Sequence, residues 1–133
     1  LVTLLYKNQN QGEKAMSETS LPHHHGQDIE SNPACMPPAE KFTAIADIFK
    51  QLGDTNRVRI FWLLCHCEEC VTNISALMNM SSPAVSHHLR ILKASGLIIN
   101  KRAGKEVYYK AADTEETRLL HDMIERLSEV SCI

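Results

Sequence analysis

Three thiols fall within six residues of this chain, at Cys65, Cys67 and Cys70, in the run Leu64-Cys65-His66-Cys67-Glu68-Glu69-Cys70-Val71. Thiolates bind ions such as Cd(II), Pb(II), Zn(II) and Cu(I), and also trivalent arsenic, and a C-x-C-x-x-C spacing can turn several sulfurs toward one centre. The same thiols can instead form a reversible disulfide or polysulfide link with no metal involved. Cysteine is commonly a buried small hydrophobe, which suits Cys65 at the end of an apolar helix. It suits Cys67 and Cys70 less well, because His66, Glu68 and Glu69 flank them in an expected loop. Cys70 should lie just before a helix, where the positive helix end favours a thiolate. Cys35 and Cys132 are further candidate ligands. Five cysteines, an odd number, point to thiol or metal chemistry in a reducing compartment rather than a disulfide framework.

A second chemistry is laid out over residues 81–110, SSPAVSHHLRILKASGLIINKRAGKEVYYK. Six basic residues (Arg90, Lys93, Lys101, Arg102, Lys105, Lys110) stand against one acid, Glu106, so the stretch carries +5 in a chain of formal charge −2 and the remainder holds −7. Such segregation concentrates phosphate attraction on one surface and leaves the rest for dimer contacts or cation binding. Val85, Leu89 and Leu92 recur at helical spacing as a buried stripe, which turns Ser86, His87 and Arg90 outward, with Ser82 and Lys93 at the margin. His88 falls toward the inner side, where a hydrogen-bonded packing role fits better than base reading. A single lysine or arginine is ordinary solvated surface, but the set in this order reads as a surface for duplex DNA.

These groups require a frame. Ser82 before Pro83 starts a helix near Ser82, and Gly96 ends it. Two β-rich runs, residues 97–102 and 106–110, are joined by a tight Ala103-Gly104-Lys105 turn. Upstream, Phe42, Ile45, Phe49 and Leu52 fall on one face of a first helix that begins near Ala39 and stops at Gly53. Asp54 or Thr55 caps a second helix, with Val58, Phe61 and Leu64 spaced to bury. After a short acidic connection, Val71, Ile74, Leu77 and Met78 mark a third helix leading into the basic one, a helix-turn-helix. Asp113 or Thr114 caps a long final helix bearing Leu119, Leu120, Met123, Ile124, Leu127 and Val130. That apolar face is wide for a domain this small, so part of it is expected to pair with the same helix of a second protomer. His121 and Glu125, four residues apart on this helix, could build an ion site, but a solvated helix face explains the pair more simply.

A chain of 133 residues with a 44% hydrophobic share suits one compact domain. Residues 1–38 are polar, lack periodic apolar positions and close on Pro33, Pro37 and Pro38, so they are expected to form a flexible arm. Met16 within it is a candidate true start, and His23, His24 and His25 form a short run that is more often incidental than ligating. The leading LVTLLY is too short to span a bilayer and precedes no small-residue cleavage pattern, so a cytoplasmic protein without a membrane partner is expected. An enzyme using a cysteine nucleophile with His66 or His121 is disfavoured, since no oxyanion hole, pocket or orienting acid stands at a recognisable spacing.

The order helix, helix, helix-turn-helix, hairpin, helix, with SSPAVSHHLRILKASGLI and RAGKEVYYKA, resembles the arsenical-repressor type of winged-helix regulator over residues 39–131. The resemblance implies a mainly α fold with a β-hairpin, order α-α-α-α-β-β-α, occupying residues 39–133 as a homodimer. Its two recognition helices would enter successive major grooves of a palindromic operator. Ser86, His87 and Arg90 would then face bases, while Ser82, Lys101, Arg102 and Lys105 would hold phosphates. It also implies a repressor released by a thiophilic metal or metalloid ion. Metal-sensing relatives carry a C-x-C pair in a Glu-Leu-Cys-Val-Cys-Asp motif at the start of the third helix. Here Cys70 matches the first cysteine, but Thr72 and Asn73 stand at the second cysteine and the acid, so Cys65 and Cys67 would replace them in a shifted geometry, with Cys35 as an extra ligand. Other relatives bind ions on the last helix through Asp-x-His and His-x-x-Glu. The matching positions are Asp113 and Glu115, then Arg126 and Glu129, and a guanidinium at a ligand position opposes a dication.

Overall fold

The computed structural model describes residues 21–130. Met16, the leading apolar run and Cys132 lie outside the described residues. Two compact units divide between Ile45 and Ala46. In the first, a single helical turn, Asp28–Ser31, is followed by a 3-10 turn, Pro33–Cys35. The Glu30 carboxylate accepts from the backbone N–H groups of His25 at 2.7 Å and Gln27 at 3.4 Å. His23 to His25 are exposed. Helix α1, Ala39–Gln51, spans the division.

The second unit continues with α2 (Thr55–His66), β1 (Glu69–Cys70), α3 (Val71–Met78), α4 (Ser82–Ala94), β2 (Ile98–Ala103), β3 (Glu106–Ala111) and α5 (Glu115–Val130). Among the described residues no helix is long and apolar enough to cross a membrane. The core is Ile60, Phe61 and Leu64 of α2, Ile74 of α3, Val85, Leu89 and Leu92 of α4, Leu97, Ile98 and Leu120. Val58 is only half-buried, because the α2 stripe is rotated onto Ile60 and Phe61.

Asp54 caps α2, its Oδ1 accepting from the Arg57 N–H at 3.0 Å. The α4 cap is Ser81 rather than Ser82: the Ser81 Oγ accepts from the Ala84 N–H at 3.3 Å. Ser82 is the first helical residue, and its hydroxyl meets Ser75 Oγ at 3.2 Å, joining the two helices of the helix-turn-helix. At the other end of α4, Gly96 takes φ +75°, Gly96 N–H donates to Lys93 O and Leu97 N–H to Leu92 O. This paired closure satisfies orphan carbonyls and needs the left-handed conformation that glycine adopts without strain. Thr114, not Asp113, caps α5, accepting from Thr117 N–H at 3.2 Å; Asp113 instead receives the Arg118 guanidinium at 2.7 Å.

The hairpin turn is two residues long, Gly104-Lys105, since Ala103 pairs with Glu106. The sheet has three strands rather than two, in the order β1-β3-β2. Residues 69 and 70, expected as a loop, pair antiparallel with β3: Glu69 opposes Tyr109 and Cys70 opposes Tyr108. The architecture is thus a winged helix-turn-helix with one short added strand.

Candidate nucleic-acid interface and effector sites

The rotation of α4 is set by Val85, Leu89 and Leu92, each no more than 1% exposed. Against that anchor His87 and Arg90 are exposed, Ser86 is half-buried and Ser82 is exposed at the helix start. The wing lies in β2, β3 and their turn, and Lys101, Arg102 and Lys105 are all exposed on it. Lys101 Nζ stands 3.8 Å from Glu68 Oε1, a contact with the cysteine loop. His88 turns inward, with Arg57 Nη1 at 3.5 Å from its Nδ1. Burial holds its pKa below the ordinary value, the Arg57 and His87 charges add to that, and Asp54 opposes it. The arrangement presents hydrogen-bond donors from α4 and cations from the wing, the two kinds of group that read bases and hold phosphates.

The thiols occupy the passage from α2 to α3. Cys65 is half-buried against the core, and burial pushes its thiol up to about 11. Cys67 is the C-terminal cap of α2; its Sγ donates to Leu63 O at 3.4 Å, and burial, then the Glu69 charge, raises its pKa. Cys70 is buried at the junction of β1 and α3. Cys35 is exposed in the 3-10 turn of the first unit. Cys65, Cys67 and Cys70 are close in sequence, but their sulfurs do not gather as a preformed triad.

Among the described residues the ligand atoms that do gather are those of His66, His121 and Glu125, all within 4.8 Å of one another. His66 is the last residue of α2, and His121 and Glu125 are one turn apart on α5. His66 Nε2 and His121 Nε2 are 3.0 Å apart, and each lies 3.2 Å from Glu125 Oε1. Trp62 Nε1 donates to the same oxygen at 2.9 Å. That bond, more than any other cause, holds the Glu125 carboxyl below its ordinary pKa, with the two histidines adding to it. His121 and Glu125, expected as a solvated pair, are therefore tied to α2. Trp62 and His66 share the same four-residue offset as His121 and Glu125, the one sequence signal that could have exposed the match.

Fold and surface together define a DNA-binding transcription regulator of the winged helix-turn-helix class. Residues 54–100 match the family described as "Bacterial regulatory protein, arsR family". The chain is 38% identical over 85 residues to a "Transcriptional repressor SmtB homolog" from Synechocystis, a match covering 64% of each chain. It is 34% identical over 90 residues to a "Cadmium resistance transcriptional regulatory protein CadC homolog" from Staphylococcus aureus, covering 67% of this chain and 74% of that one. A solution structure of a homodimeric winged helix-turn-helix DNA-binding domain from Mycobacterium bovis, described as "a possible ArsR-family transcriptional regulator", superposes with TM-score 0.63 at 26% identity, over 71% of this chain and 87% of that one. This chain belongs to the arsR family of bacterial regulatory proteins.

Proposed function

We propose that the protein is a transcriptional repressor that binds a palindromic operator as a homodimer. It releases the operator when a thiophilic metal or metalloid ion of the class Cd(II), Pb(II), Zn(II), Cu(I) or As(III) is held by Cys65, Cys67 and Cys70, with Cys35 as a further ligand. The observation that supports the DNA-binding half is the anchored rotation of α4, which buries Val85, Leu89 and Leu92 and leaves His87 and Arg90 exposed. Ser86, His87 and Arg90 contact base edges; Ser82, Lys101, Arg102 and Lys105 contact phosphates. The names of two relatives, a repressor and a cadmium-resistance regulator, support repression and a metal effector. Dimerisation is supported by α5, where Leu119, Met123, Leu127 and Val130 stay exposed while Leu120 and Ile124 turn to the core.

The thiols span the end of α2 and the start of α3, so an ion drawing them together displaces the helix-turn-helix relative to α2. β1 pairs with β3, and Glu68 contacts Lys101, so the same displacement reaches the wing. Release requires the ion to bind the operator-free geometry more tightly, and a coupling of ~1–3 kcal/mol weakens operator binding about 5- to 150-fold. Burial raises the pKa of Cys65 and of Cys67, and because both metal ligation and redox attack use the thiolate, either effector must meet the cost of removing that proton.

The test is fluorescence anisotropy on a duplex selected by the reduced protein from a random-sequence pool, titrated with each ion. One of the ions should release the DNA from the wild-type chain and not from Cys67→Ser/Cys70→Ser. Release by diamide or polysulfide, with no response to any ion, overturns the metal reading in favour of the redox one.

A further inference from the structure

His66 Nε2, His121 Nε2 and Glu125 Oε1 form a nearly equilateral triangle with edges of 3.0, 3.2 and 3.2 Å. Zn–N and Zn–O bonds of ~2.0–2.2 Å in a tetrahedral site place neighbouring ligands about 3.3–3.4 Å apart. The three atoms therefore already lie close to one face of such a tetrahedron, and an ion would sit about 1 Å above their plane with the fourth position open. From these distances we propose that His66, His121 and Glu125 form a binding site for a borderline divalent cation of the zinc class, separate from the thiols and clamping α2 to α5 within one protomer.

Charge and hydrogen bonding favour a cation there. Two imidazole nitrogens and a carboxylate oxygen in mutual contact bring three lone-pair-bearing atoms together. Without an ion, their contacts must be mediated by ring protons; with both rings cationic, the 3.0 Å nitrogen pair carries like charges. A dication satisfies all three at once. His66 is the final residue of α2, where the negative helix end also favours positive charge. The donor set selects the ion: imidazole with carboxylate suits Zn(II), Co(II) or Ni(II), whereas Cd(II), Pb(II) and As(III) prefer sulfur.

The site has the supports that metal ligands usually have. Trp62 holds Glu125 through its indole N–H, leaving that oxygen a further lone pair for an ion. The Trp62 ring packs on His66 with centroids 4.3 Å apart, and His66 meets His121 edge-on at 4.8 Å. His66 and His121 also line an open cleft of about 370 Å³, so solvent and ions reach them. Cys65 and Cys67 border the same cleft, which makes the thiols the competing ligands that a test must separate.

The proposal is independent of the thiol reading, and Co(II) is the probe. Titrated into a Cys65→Ala/Cys67→Ser/Cys70→Ala chain shown folded by circular dichroism, Co(II) should give the ligand-field bands of four-coordinate nitrogen and oxygen ligation. Those bands should vanish in His66→Ala and His121→Ala versions of that chain. In the wild-type chain, Zn(II) should shift the Nε2 resonances of His66 and His121 by nitrogen-15 NMR, a readout that needs no cysteine variant. Absence of Co(II) bands in that folded triple variant, which keeps only Cys35 and Cys132 of the five cysteines, or Zn(II) that moves only the cysteine Cβ resonances, overturns the proposal. Operator release through the cysteines is read by anisotropy, so the two sites can fail separately.

Discussion

Trp62 and Glu125 lie 63 positions apart and are joined by one hydrogen bond of 2.9 Å from the indole nitrogen to the carboxylate. The bond is the largest cause of the lowered Glu125 pKa, and it holds the oxygen that both histidines contact. Trp62→Phe keeps the ring against His66 and removes the donor. The Glu125 carboxyl should then titrate at higher pH, seen by carbon-13 NMR, and Co(II) affinity should fall about 10- to 100-fold.

Arg90 and Lys105 separate reading from holding. Arg90→Ala should cost ~1–3 kcal/mol of operator affinity and relax sequence preference at one position of each half-site. Lys105→Ala should weaken operator and unrelated duplex alike, and lower the slope of log affinity against log salt by about 0.9 for each phosphate that is no longer neutralised. Anisotropy over a salt series with both duplexes distinguishes the two.

His88 makes stability depend on pH. Its pKa in the folded chain lies below the ordinary value, chiefly through burial, so the unfolded chain takes up its proton first as pH falls. The contribution is therefore full above the ordinary histidine pKa of about 6.5 and is lost as pH drops through the lower folded value. Urea unfolding between pH 8 and pH 5 should show wild type losing more stability on acidification than His88→Gln. Asp54, Arg57 and His87 face this ring and are common to both chains.

Leu127 lies on the outward stripe of α5 at 54% exposure. Leu127→Glu should leave the fold intact and put charge where a second protomer would pack. Sedimentation should show monomers at concentrations where wild type is dimeric, with operator affinity falling in parallel because two half-sites are no longer linked.

The α4 stripe was legible because three core residues at helical spacing admit one rotation. The hairpin was legible because Gly104 punctuates two β-rich runs. The cap was misplaced by one residue because Ser81 and Ser82 are both competent and Pro83 is tolerated in either frame. β1 escaped because two residues hold no alternation; only their pairing with Tyr108 and Tyr109 makes them a strand. The His66–His121 contact spans 55 positions, and helical spacing reveals a face without revealing what lies across from it. The cysteine cluster was visible as composition, but burial at Cys65 and Cys70 depends on packing that spacing alone does not report.

The two-residue strand has a consequence for how the thiol spacing is preserved. Helix α2 closes at His66 and β1 opens at Glu69, leaving Cys67 and Glu68 as the only slack between them. Strand side chains alternate faces with period two, so adding or deleting one residue there would exchange the buried position of Cys70 with the neighbouring position. The interval between Cys67 and Cys70 is thus tied to sheet register, so replacing either thiol in place disturbs the strand less than changing the number of residues between them.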